Sequence, residues 1–170
     1  MPLKQVDIGS RIDGFAGQLS VFSQVEYIDI RPVELGLERF TMVEGSILNL
    51  PYADSSIPSI SCLHVIGHMG LGRYGDPVDP QGSEKAAREL VRVLAKGGWL
   101  IVGIPVGLER VAFNAHRIVS LLTVIEWFNE LKLVEFSVVT DGGQFRRFAE
   151  PRDYIDADYA CGLYLFGRPA

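Results

Sequence analysis

Between Asp79-Pro80 and Gly97-Gly98, the residues Ala86, Ala87, Leu90, Val91 and Leu94 recur at helical spacing. That spacing puts one apolar stripe on a helix that must be buried against something. Asp79 suits a capping position, Pro80 the first helical turn, and the glycine pair a stop. Apolar runs flank the helix: Ser59 to Val65, introduced by Pro58, suits a strand buried on two faces, and Trp99 to Ile104, following the glycines, is a further strand. Strand, helix and strand in that order call for parallel pairing with a right-handed crossover.

The rest of the chain repeats the alternation. Leu3 to Ile8 is a short extended run ending at Gly9-Ser10, and Gly14 to Phe22 can form a helix with Phe15, Leu19 and Phe22 on one face. Val25 to Ile30 is a strand closed by Arg31-Pro32, and Phe40 to Glu44 is another. Glycines at 67, 70, 72 and 75 mark a loop, Leu121 to Asn129 a helix starting near Ser120, and Leu133 to Val139 and Tyr159 to Phe166 the last two strands. Only a loop separates those two, which suits an antiparallel strand. The expected architecture is α/β and Rossmann-like: a mostly parallel seven-stranded sheet with an antiparallel strand and helices on both faces.

Composition bounds the function. At 170 residues, 48% hydrophobic and 22% charged, the chain has the size and make-up of one ordinary folded domain, 1–170. The longest nearly uncharged apolar stretch, Ile118 to Ile125, falls far short of the ~20 residues of a membrane span. Met1 to Gln5 has no leader character, so a cytoplasmic location is expected. A net charge of −5 disfavours nucleic acid, and Arg146-Arg147 reads as a solvated loop. Cys62 and Cys161 stand alone in apolar runs and read as buried reduced thiols.

Chemistry concentrates at the strand ends, where ligands of such sheets sit. Asp7-Ile8-Gly9-Ser10 joins a strand to a glycine turn, and Asp29 follows 20 residues after Gly9, where a carboxylate can accept from ribose hydroxyls. Arg11 occupies the second glycine position of a dinucleotide fingerprint and disfavours a nicotinamide or flavin dinucleotide. His64 and His68 are four apart without the glutamate of a zinc motif, so no metal is expected. Arg73, Tyr74 and Asp76 can supply a carboxylate-binding fork, a hydroxyl and a general base, and His116 and Arg117 further on can face the same cleft; a simple Arg73–Asp76 salt bridge is the equal alternative.

From Asp7 to about Phe136 the chain resembles the class I S-adenosylmethionine-dependent methyltransferases. The matching stretches are Asp7-Ile8-Gly9-Ser10, Tyr27-Ile28-Asp29-Ile30, Glu44 to Pro51, and Arg92 to Gly98. The stretches from His64 to Asp76 and from Phe113 to Ile118 are similar to the uncharacterised DUF268 family. The resemblance implies the sheet order three-two-one-four-five-seven-six and S-adenosylmethionine as cofactor, held by Asp7, Gly9, Ser10, Asp29, Ser46, Ile47 and His64. It also implies a small-molecule or saccharide acceptor, with Asp76 or His116 as base and Arg73 as orienting group. The chain begins directly at the first strand without amino-terminal cover helices, so a homodimer is expected to bury the exposed surface. Arg11 and Asp13 stand where later glycines of the first motif are usual, which keeps open a catalytically silent ligand-binding or assembly module.

Overall fold

The computed structural model describes residues 3–31, 33 and 35–170. Its elements are β1 (Lys4–Ile8), α1 (Gly17–Leu19), β2 (Gln24–Asp29), β3 (Phe40–Glu44), β4 (Ile57–Leu63), α2 (Gly82–Val93), β5 (Leu94–Val106), β6 (Arg110–Ala112), β7 (His116–Ile118), α3 (Leu121–Trp127), β8 (Lys132–Val139), β9 (Phe145–Arg146) and β10 (Ala160–Gly167). The main sheet has eight strands in the order β3-β2-β1-β4-β5-β10-β8-β9. The first five in that order are parallel, and β10 is antiparallel to both β5 and β8. The seven long strands thus take the expected order. The eighth, β9, pairs only Val138 with Arg146 and Val139 with Phe145; it is too short to carry a hydrophobic pattern. β6 and β7 form a separate hairpin.

Register explains where the core sits. Val6, Ile60, Leu100 and Phe166 are successive partners across β1, β4, β5 and β10, so they share one face, and all are buried. This face forms the main core with Ala86, Ala87, Leu90 and Val91 of α2 and Leu121 and Val124 of α3. The adjacent row, Asp7, Ser61, Ile101, Leu165 and Glu135, points to the opposite face and mixes polar with half-buried apolar side chains.

Three helix boundaries differ from the pattern in the sequence. α2 stops at Val93 rather than at the glycines, because Leu94 pairs with Ile57 and starts β5. Leu94 is buried either way, so periodicity cannot distinguish the two states. Gly97, at φ +71°, and Gly98 then form an irregularity inside the strand. α2 also begins at Gly82, since Asp79 accepts from the Gln81 N–H and pairs with Lys85 instead of capping at Pro80. The Gly14 to Phe22 helix is replaced by a π-helical turn, Ile12–Ala16, running into the single turn of α1, and Phe22 is exposed. Two glycines weaken the helix, and Phe22 is left facing solvent. α3 follows the expectation at its start, where the Ser120 hydroxyl accepts from the Thr123 N–H at 3.1 Å. Among the described residues no helix is long and apolar enough to cross a membrane.

Candidate functional site

The carboxyl end of β1 turns at Gly9, whose φ of +63° suits glycine and whose N–H donates to the Ile28 carbonyl at 2.7 Å. A Cβ at Gly9 would lie 3.0 Å from Val65 Cγ2, so the turn is also tightly packed. Asp7 is fully buried beneath it, accepting from the Ser10 N–H at 3.2 Å and the Ser61 hydroxyl at 2.6 Å. The Ser10 hydroxyl accepts from the Leu63 N–H at 3.1 Å. Burial pushes the Asp7 carboxyl up to about 6 against the opposing effect of the Ser61 and Ser10 hydrogen bonds. These two residues lock β1 to β4 and stand behind the cleft rather than on its surface.

In front of them lies a cleft of about 260 Å³ whose walls include Gly9, Asp29, Ile30, Ser46, Ile47 and His64. Five of the seven cofactor residues expected from the sequence, Gly9, Asp29, Ser46, Ile47 and His64, are therefore brought together; Asp7 and Ser10 are not among them. Ile30 is 41% exposed and Ile47 is buried, giving apolar surface beside a carboxylate. The Ser46 hydroxyl accepts from the Leu48 N–H at 3.2 Å and shapes the turn after β3. Asp29 accepts from the Arg31 N–H at 2.8 Å and from its guanidinium at 3.2 and 3.5 Å. The Tyr27 hydroxyl lies between Asp29 and the Ser10 carbonyl, and burial together with the Asp29 charge pushes its ionisation up.

The other wall is the loop after β4. Asp76 accepts from the N–H groups of Gly70 at 2.6 Å, Tyr74 at 3.3 Å and Gly72 at 3.4 Å. Burial opposes its ionisation, but these donors outweigh that and hold the carboxyl below the usual range. Arg73 does not pair with Asp76; it donates to the carbonyls of Asn114 at 3.3 Å and Ala115 at 3.4 Å. Tyr74 lies between two guanidiniums, Arg31 at 5.0 Å and Arg73 at 5.5 Å from its ring centre. Arg117 of β7 ties together the two ends of the same loop through the carbonyls of Met69 and Asp79.

All three histidines of the chain gather at this edge. His68 lines the cleft, sets Nδ1 2.6 Å from the Ala115 carbonyl oxygen, and meets Tyr74 and His116 edge-on at 5.7 and 6.1 Å. His116 stacks on Tyr159 at 5.7 Å, and His64 Nε2 is 3.7 Å from Cys161 Sγ. Burial, followed by the charge of His68 and neighbouring cations, pulls His116 below the usual imidazole range; burial, then His68 and His116, does the same to His64. Sequence spacing could not bring Tyr159 and Cys161 to His116 and His64, because β10 reaches them only through sheet pairing. Arg31 was readable only as a strand terminator. Among the described residues no group of three or more His, Cys, Asp or Glu side chains is placed to hold a metal ion.

Solved structures share this architecture. The cyclase SpnF aligns with a TM-score of 0.71 at 18% identity, covering 99% of this chain and 75% of that one. The YcgJ protein from Bacillus subtilis aligns at 0.68 and 17% identity, covering 98% and 92%. The N-methyltransferase NodS from Bradyrhizobium japonicum, solved with S-adenosyl-L-homocysteine, aligns at 0.67 and 19% identity, covering 98% and 78%. Identities this low establish the fold alone. No curated protein matches the sequence. The family described as "Caenorhabditis protein of unknown function, DUF268" matches residues 46–138, more than half of the chain. With its sheet order and strand-end cleft, the chain belongs to the DUF268 family and has the Rossmann-like fold of class I methyltransferases.

Proposed function

We propose that the chain is an S-adenosylmethionine-dependent methyltransferase acting on a small-molecule or saccharide acceptor. The observation that carries this reading is the convergence of Gly9, Asp29, Ser46, Ile47 and His64 on one cleft at the carboxyl edge of the parallel strands. The residues fit a nucleoside: Gly9 presents bare backbone to the cleft, Asp29 offers a carboxylate at a strand end, and Ile30 and Ile47 offer apolar surface for a base. When bound, S-adenosylmethionine supplies an electrophilic methyl group. Asp7 and Ser10 keep the Gly9 turn in shape; of the residues assigned to the acceptor, Asp76 lines the cleft, while Arg73 and His116 are outside its lining, Arg73 at the Ala115 carbonyl and His116 beside His68. A cytoplasmic homodimer completes the reading, and light scattering tests the dimer.

A second reading, a silent ligand-binding or assembly module, draws support from Arg31, which already occupies both oxygens of Asp29, and from Arg11 on the cleft wall. The cyclase among the similar structures illustrates that this fold does not fix one reaction. Calorimetry with S-adenosylhomocysteine separates the two: binding that depends on Asp29 supports the enzyme, and its absence in the parent protein favours the module.

A further inference from the structure

The Ala115 carbonyl oxygen receives two donors from the loop after β4, His68 Nδ1 at 2.6 Å and the Arg73 guanidinium at 3.4 Å. A carbonyl only accepts, so the neutral His68 ring carries its proton on Nδ1 and keeps the lone pair on Nε2. His68 lines the cleft. Arg73 is exposed, and its hydrogen bonds go to carbonyls alone; no carboxylate among the described residues lies within ion-pair distance of it. A fixed proton acceptor and a cation without a counter-charge are thus held side by side on one backbone atom.

We propose that the acceptor is a hydroxylated anion, a compact molecule bearing both a hydroxyl group and a carboxylate or phosphate, with Arg73 binding the anionic group and His68 Nε2 taking the hydroxyl proton. This rests on the methyltransferase reading and makes it specific. Asp76 is less suited to that task, since its oxygens are already engaged by the N–H groups of its own loop. In the step itself the hydroxyl proton passes to Nε2 and the oxygen's electron pair forms the bond to the methyl carbon. The carbon–sulfur pair stays on sulfur, leaving a methyl ether, a thioether and an imidazolium. The groups facing His68 are His116 and Tyr74 at its ring, Arg73 at the shared carbonyl, and His64 and Asp76 along the cleft.

The test uses glucuronate and glucose 6-phosphate as the two hydroxylated anions, glucose as the hydroxyl without charge, and acetate as the charge without hydroxyl. Binding is followed through the histidine nitrogen resonances in the presence of S-adenosylhomocysteine. The expected result is an Nδ1–H tautomer at neutral pH, and a shift of His68 Nε2 with glucuronate or glucose 6-phosphate at least tenfold tighter than with glucose or acetate. Which of the two binds identifies carboxylate or phosphate. R73A removes that advantage and R73K restores part of it, with unchanged thermal unfolding showing that both are folded. An Nε2–H tautomer, equal affinity for glucose, or unchanged affinity in R73A overturns the proposal. S-adenosylhomocysteine binding by the same variants reports separately: if it persists while Arg73 proves irrelevant, the acceptor assignment fails and the methyltransferase reading stands. If it is absent while Arg73-dependent binding is present, the Arg73 anion site stands, and the methyltransferase reading fails together with the methyl-acceptor role built on it.

Discussion

Arg31 holds both carboxylate oxygens of Asp29, with Nε at 3.2 Å from one and Nη2 at 3.5 Å from the other. A ribose diol binding to Asp29 competes with that guanidinium, which is largely exposed and pairs weakly in water. Asp29→Ala should weaken S-adenosylhomocysteine by about 1.5–3 kcal/mol, the range for hydrogen bonds to a charged group. Arg31→Ala should tighten it by no more than about 1 kcal/mol. Calorimetry on both variants decides the point; loss of binding in Arg31→Ala would make Arg31 a ligand contact rather than a competitor.

Asp7 makes stability depend on pH in a direction unusual for an aspartate. Its folded-state value is raised from 3.8 to about 6, so its contribution is fully present below 3.8 and is lost as pH rises through about 6. At about 1.4 kcal/mol for each pH unit, the loss comes to about 3 kcal/mol. Asp7→Asn, which cannot titrate, should show a flatter stability curve between pH 4 and 6 in urea unfolding. Parallel curves for parent and variant would dismiss the idea.

Asp76 should behave in the opposite sense. Its folded value is depressed, so its contribution holds above 3.8 and disappears as pH falls below that. Asp76→Ala frees the N–H groups of Gly70, Gly72 and Tyr74, and should cost about 1–2 kcal/mol with faster amide exchange at those three positions. Unchanged exchange there would mean that the loop is held by Arg117 and its other contacts.

Cys62 and Cys161 should both remain free thiols. Cys62 pairs with Val102, which pairs with Tyr164; Cys161 is three residues from Tyr164 and so faces the other side of the sheet. Cys62 is fully buried, and burial pushes its thiol ionisation up; Cys161 is half-buried beside His64. A thiol reagent should modify Cys161 slowly in the folded protein and Cys62 only after unfolding. Rapid double labelling would contradict this placement.

The parallel half of the sheet was legible because each strand is a short apolar run closed by a glycine or proline, and the crossover helix α2 has a full apolar stripe. Gly9 and Asp29 were legible for the same reason, since a strand end fixes where a side chain emerges. Other features depend on pairing distant in sequence. Leu94 reads equally well as the last helical turn or the first strand residue until Ile57 is known to lie beside it. Asp76 looked like a free base because its partners are backbone N–H groups, which no residue pattern displays. The role of His68 depends on the Ala115 carbonyl, 47 residues away.

The position of β10 bears on how the protein is made. Residues 160–167 fill the gap between β5 and β8, yet of the described strands of this sheet they are the last to leave the ribosome. Until they emerge, β5 has a bare edge and β8 has only the two-residue β9 for company, and unpaired strand edges are templates for aggregation. The parallel half can assemble during translation. The half that carries Tyr159 and Cys161 to the histidines cannot, so the histidine edge of the cleft is finished only after translation has passed Gly167.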